Sequence, residues 1–316
     1  MTYAKPFLTY AQQLALLKSR GVSCVDDDAA IRVLAANGYY NVSGYVYPFR
    51  TLDPAGTGRL DQVRPGTRFE DVAQLIDFDR DLRALLLKGI QIVEVSVRAR
   101  IAYVLGRRDP FGHVTKSSLN QTACGRTYTR HGSTNTAFDW WQLEYQRLQR
   151  QATQEPFVEH NMTKYGPPLP IWVACEFLDF GATSNLYQLL VEADQQEIAA
   201  TVGLRHQTVL ASWLRSLNTA RNTCAHNGRL WNRVFALKPT LNPRALPNEL
   251  QHLSRASQNK VYPMLAITAW LTRNLNPDAA WHTDVAHLLR RYPVISGRSI
   301  AEMGTPATWA HQDLWK

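Results

Sequence analysis

Within the stretch ARNTCAHNG, residues 220–228, Arg221 and His226 stand five positions apart. Both are residue types that can cleave RNA without a metal. That chemistry takes a base to accept the 2′-OH proton and an acid to protonate the leaving oxygen. It also takes a cation to stabilise charge on the phosphorane, which a guanidinium does with two parallel hydrogen bonds. One Arg and one His per chain, doubled by a twofold axis, would supply these roles. The plain alternative is a helix end, where a His caps carbonyls and an Arg pairs with an acid. Elsewhere the chain has no His pair at metal-ligand spacing and no acid cluster suited to two-metal chemistry.

The elements that must position this pair read as helices. HQTVLASWLRSLNTARNTCAHNG (206–228) carries Leu210, Trp213, Leu214 and Leu217 on one side and Asn227-Gly228 as a stop. That pattern predicts a helix ending at about 226. Five residues turn through about 140° of an ideal helix. Arg221 and His226 therefore point different ways, unless the helix distorts between them or a second copy supplies the partner. A longer periodic segment starts with Thr67 and Glu70 at capping-box spacing and runs from Val72 to Leu105. If continuous it spans roughly ten turns, with Gly89 as a candidate bend. Its Glu94 and Arg98 are four apart and share a face, as supports for the pair or as a plain ion pair.

The remaining text is mostly helical too. Thr9 and Gln12 open a short helix closed by Gly21, and DDDAAIRVLAANG puts acids in its first turn and closes at Gly38. YYNVSGYVYPFR packs five rings into eleven residues; such rings could stack bases, but their bulk makes core the favoured reading. Residues 51–66 hold Pro54, Gly56, Gly58, Pro65 and Gly66 and read as a connection. Residues 106–135 are basic and irregular, either a loop able to hold a phosphate backbone or a solvated insertion. FDWWQLEYQRLQRQ is helical again, and Pro170 suits the start of a helix that is re-aimed at Phe180-Gly181. Two further apolar helices follow near 257–275 and 278–291. No alternating Val/Ile/Thr runs and no Gly-rich strand-to-helix turn occur, so the expected class is all-α.

The bulk properties narrow the partners. Of 316 residues, 45% are apolar and 19% charged, which excludes a disordered chain and allows one large domain or two smaller ones. The net charge of +9 favours an anionic partner such as nucleic acid. Cys24, Cys124, Cys175 and Cys224 are scattered with no CxxC pair, which points to neither a zinc knuckle nor a disulfide framework. MTYAKPFLTY lacks a signal-peptide pattern and no run of 18 apolar residues exists, so the expected address is the cytoplasm, without a membrane.

The run SWLRSLNTARNTCAHNGRLWNR (212–233) resembles the signature of the Abi-like family, the AbiD/AbiF-type abortive-infection proteins of the HEPN superfamily. Three further blocks resemble the family in the same order: KPFLTYAQQLALLKSRG with NGYYNVSGYVYPFR (5–50), VEVSVRARIAYVLG (93–106) and PLPIWVACEFLDFGATSNLYQLL (168–190). The HEPN motif, Arg-polar-x-x-x-His, falls on Arg221, Asn222 and His226. The resemblance implies an all-helical fold, a homodimer with a composite site, metal-independent RNA cleavage without a cofactor, and for some members an antitoxin. Asn227 stands where many relatives carry a second His, so an acid-base role is not carried over to that position.

The resulting expectation is an all-α protein. It has an N-terminal helical region with the aromatic cluster (1–66), a HEPN-like core (67–235) and a C-terminal helical extension (236–316). His226 is the acid-base residue, Arg221 the transition-state cation and Asn222 a positioning residue. Glu94 and Arg98 support them, and Arg229 and Arg233 contact RNA phosphates. The rival is a non-catalytic RNA-binding or protein-interaction module that keeps the motif for folding.

Overall fold

The computed structural model describes residues 6–56, 58–130 and 132–316. The leader reading rests partly on residues 1–5, which lie outside the described residues.

One 40-residue helix, α4 (Phe69–Arg108), is the axis on which most other helices pack. Its apolar repeat is unbroken, and Val72, Leu75, Leu82, Leu86, Ile90, Val93, Val97, Ile101 and Leu105 are all buried. Two local expectations change here. Thr67 does not cap the helix: its hydroxyl donates to the Arg64 carbonyl, and Glu70 accepts from the Val25 backbone N–H instead. A bridge between Ser23 and Arg68 holds that segment, so tertiary pairing outcompetes the capping box. Gly89 is not a break either, because α4 passes through it as continuous helix. A Cβ there would meet the Trp281 ring at 2.4 Å, so the glycine admits an indole against the backbone.

Before α4 come α1 (Tyr10–Ser19), α2 (Asp27–Asn37) and α3 (Tyr39–Val46). The capping box of Thr9 with Gln12 forms as expected, and Gly38 closes α2 with φ +77°. The aromatic cluster splits: Tyr45 and Phe49 are buried, whereas Tyr40 and Tyr47 are exposed. After α4 follow α5 (Gln121–Gly125), α6 (Ala137–Gln151) and α7 (Pro156–Tyr165). Then come α8 (Ile171–Phe177), α9 (Phe180–Leu189), α10 (Glu192–Thr201) and α11 (Gln207–Ala225). Helices α8 to α11 pack on α4, and α12 (Val261–Leu275) lies along it as well, buried almost throughout. Helix α13 (Trp281–Arg290) closes this side: its Trp281 Nε1 donates to the Leu85 carbonyl at 2.8 Å.

The fold is mostly α, with two small antiparallel ribbons in the segments read as irregular. The first pairs β1 (Arg50–Leu52) with β2 (Arg59–Val63). The second pairs β3 (Thr127–Arg130) with β4 (Ser133–Thr136), in register from Thr127↔Thr136 to Arg130↔Ser133. Every residue of β3 is exposed, so this hairpin has no apolar alternation to advertise it. The main hydrophobic core extends from Leu14 to Trp315, and a small separate cluster is formed by Ala152, Val158 and Leu169. All four cysteines are free, and among the described residues no helix is long and apolar enough to cross a membrane.

Candidate functional site

Helix α11 ends where its sequence says it should. His226 is the C-cap, Asn227 takes the left-handed conformation with φ +53°, and Gly228 follows. The Gly228 N–H donates to the Thr223 carbonyl at 2.8 Å and the Asn227 N–H to the Cys224 carbonyl at 3.0 Å. These two bonds make a Schellman motif, with Asn in the position usually held by Gly. They consume last-turn carbonyls through backbone donors, so the His226 ring is not needed as a cap. The ring is exposed and makes no hydrogen bond, ion pair or ring contact among the described residues.

Arg221 is half-buried one and a half turns earlier, and α11 is undistorted between the two. Its Nη1 donates to Asn222 Oδ1 at 3.4 Å. Its charge also acts on Glu94 of α4. Burial pushes the Glu94 carboxyl up; Arg98 and Arg221 pull it back, and Asp179 pushes it further up. Arg98 completes an ion pair with Glu94 at 3.4 Å and donates to the carbonyls of Cys175 and Glu176, both at 3.3 Å. Glu94 and Arg98 are therefore not a simple surface pair. They fasten the C-terminal end of α8 to α4.

Three residues join this group that the sequence alone does not single out. Asp179 caps α9 by accepting from the Ala182 N–H at 2.8 Å. Asn218 of α11 lies against Gly181, since a Cβ on that glycine would come within 3.3 Å of its amide nitrogen. Arg147 of α6 reaches Asp179 at 3.9 Å while holding Glu144 at 2.6 Å. Asn218 was findable in principle, because it shares a helical face with Arg221 and Asn222. Asp179 and Arg147 sit on other elements and carry no local signal. Arg147, Asp179 and Asn218 thus link α6, α9 and α11, and Arg221 acts electrostatically on Glu94 of α4, while His226 makes none of these contacts.

The segment after the helix is anchored from below. Asp79, a fully buried carboxylate on α4, accepts from the Tyr45 hydroxyl (2.5 Å), Arg83 (2.6 Å), and the backbone N–H groups of Leu230 (3.0 Å) and Trp231 (2.6 Å). Burial raises its pKa; those donors counter it. The i,i+4 spacing of Asp79 and Arg83 inside an apolar repeat was the available clue. Arg229 donates through Nη1 to the Gly44 carbonyl and lies over the Tyr45 ring, tying the helix end to α3. Arg233 is exposed, with its guanidinium carbon 5.9 Å from the Phe235 ring centre. Both arginines line an open cleft of about 330 Å³ with Tyr40, Asn41, Gly44, Asn227 and Gly228. Among the described residues no group of three or more His, Cys, Asp or Glu could hold a metal.

A family model described as Abi-like protein matches residues 32–232, a span that includes α4, α8, α9 and the whole of α11. No curated protein and no solved structure matches the chain.

Proposed function

Because the chain belongs to the Abi-like protein family, whose model covers well over half of it, we propose that it is a metal-independent endoribonuclease of abortive-infection defence. The site is of the HEPN type and composite, formed by two copies of α11. The observation that carries this reading is the separation of Arg221 from His226. With α11 unbroken from Arg221 to Ala225 and His226 as its C-cap, ideal helical spacing offsets the two side chains by about 140°, so a second chain is the means of bringing a His to an Arg. The same doubling provides the two histidines that acid and base catalysis require.

In this mechanism one His226 removes the proton from a 2′-OH, which attacks the adjacent phosphorus. The His226 of the other copy protonates the departing 5′-oxygen, leaving a 2′,3′-cyclic phosphate. Arg221, bonded to Asn222 and acting electrostatically on Glu94, stabilises the charge that builds on the phosphoryl oxygens. Glu94 and Arg98 orient Arg221 without touching RNA. Arg233 and the open cleft beside Asn227 and Gly228 bind flanking phosphates; Arg229 shapes the cleft wall. An antitoxin, RNA or protein, would restrain the activity by covering the same surface.

The test is incubation of the purified protein with end-labelled RNA and its DNA counterpart in EDTA, beside His226→Ala. The expected result is cleavage of RNA only, with cyclic-phosphate ends, absent in the variant. Cleavage lost in EDTA and restored by a divalent metal would overturn the metal-free mechanism. Equal cleavage by His226→Ala would remove the assigned site.

A further inference from the structure

We propose that the β3–β4 hairpin and the start of α6 form a clamp for one unpaired nucleobase of the RNA, with its phosphate held by arginine. The proposal rests on the reading above only in taking RNA as the substrate. Tyr128 of β3 and Trp140 of α6 present near-parallel rings, with centres 6.5 Å apart and planes 20° from parallel. The pair is built rather than accidental, because Trp140 Nε1 donates to the Tyr128 carbonyl at 3.1 Å. Tyr128 is exposed and Trp140 half-buried, so the rings are reachable from solvent. The Arg130 guanidinium lies 4.8 Å from the Tyr128 ring centre and 5.6 Å from that of Trp140. A planar cation thus occupies the stacking surface that a planar base would take.

The surrounding chemistry suits a nucleotide. The cavity, about 210 Å³, is lined by Arg126, Arg130, Asn185 and Gln188 besides the two rings. Arg126 makes no ion pair, and Asn185 has no side-chain hydrogen bond among the described residues. Gln188 commits only its Nε2, to the Ser184 carbonyl. Two amides are therefore available for a base edge and two guanidiniums for phosphate. Glu144, the nearby carboxylate that acts on Arg130, is already held by Arg147 through two hydrogen bonds.

The clamp is also connected to α11. Gly181, Asn185 and Gln188 follow at i, i+4 and i+7 along one face of α9. Gly181 touches Asn218 of α11, and Gln188 lines the clamp. The distance along the helix is about 10 Å, from seven residues at about 1.5 Å each. On the facing helix α6, Trp140, Glu144 and Arg147 repeat the same spacing, and Arg147 reaches Asp179.

The test uses full-length His226→Ala, which keeps RNA intact, and a fluorescent oligouridylate measured by anisotropy. Tyr128→Ala and the double variant Arg126→Ala/Arg130→Ala should each bind at least about fivefold more weakly. Tyr128→Phe should restore affinity, and an RNA with abasic sugars should bind the parent as weakly as Tyr128→Ala binds normal RNA. Unchanged affinity in Tyr128→Ala, or full affinity for abasic RNA, overturns the clamp whether or not the wild type cleaves. So does a parent that binds no RNA. Clamp-dependent binding by a wild-type protein that never cleaves RNA leaves the clamp standing and removes the nuclease.

Discussion

His226 caps α11 with its ring in solvent, and its helix end is closed by the backbone bonds of Gly228 and Asn227. Removing the ring therefore costs little packing. His226→Ala should change stability by no more than about 1 kcal/mol, while the chemical step loses an acid-base group worth typically about 10²–10⁴-fold. Melting temperature and single-turnover cleavage on one sample check both halves. A large fall in melting temperature with intact specific activity would falsify the catalytic assignment. His113 offers the opposite case, a residue hidden completely and with both ring nitrogens unpartnered. Burial pushes its pKa down from 6.5 to about 4, with Asp109 opposing. The unfolded chain takes up the proton at the ordinary value and the folded one only at the lower. The part of stability that His113 contributes is thus fully present above pH about 6.5 and is lost between there and about 4, by on the order of 3 kcal/mol. In His113→Phe that acid limb should flatten in urea titrations run across this range. A limb of unchanged depth would assign it to other groups.

At the scale of elements, α4 decides where the others can sit. Its Gly89 accepts the Trp281 indole against the backbone, which joins α13 to the long helix. Propensity alone favours Gly89→Ala by about 1 kcal/mol. The added methyl, however, would stand 2.4 Å from a ring that is itself hydrogen-bonded to Leu85. Overpacking should win, with a net loss of about 1–3 kcal/mol in denaturant midpoint analysis. A stabilised variant would mean that the ring moves freely. The short ribbon of β3 and β4 works differently: none of its residues is buried, and its Tyr128 carbonyl accepts from Trp140 Nε1. Alternation of buried and exposed residues is what makes a strand legible, and this hairpin has none.

For the whole molecule, the proposed chemistry requires two copies of the chain. Sedimentation equilibrium should give a homodimer, and because each dimer needs both His226 rings, wild-type chains exchanged with excess His226→Ala should lose activity as about the square of the wild-type fraction. A strictly monomeric, fully active protein would rule out the composite site. The sequence by itself determined the mostly helical class, the family, the end of α11 at His226 and the placing of Arg221, Asn222 and His226 on that helix. These are local properties: apolar repeats at helical spacing and a stop of Asn and Gly act within a few residues of chain. Only the tertiary structure decided that Asp179 meets Arg147 and lies with Asn218 beside Gly181, that Arg221 and Asp179 both act on Glu94, and that Asp79 holds the turn after α11. It also decided that α11 stays straight, which separates Arg221 from His226 within one chain. Such arrangements depend on how α4, α6, α9 and α11 pack against one another, and no stretch of neighbouring residues encodes the side-chain meeting points between distant helices.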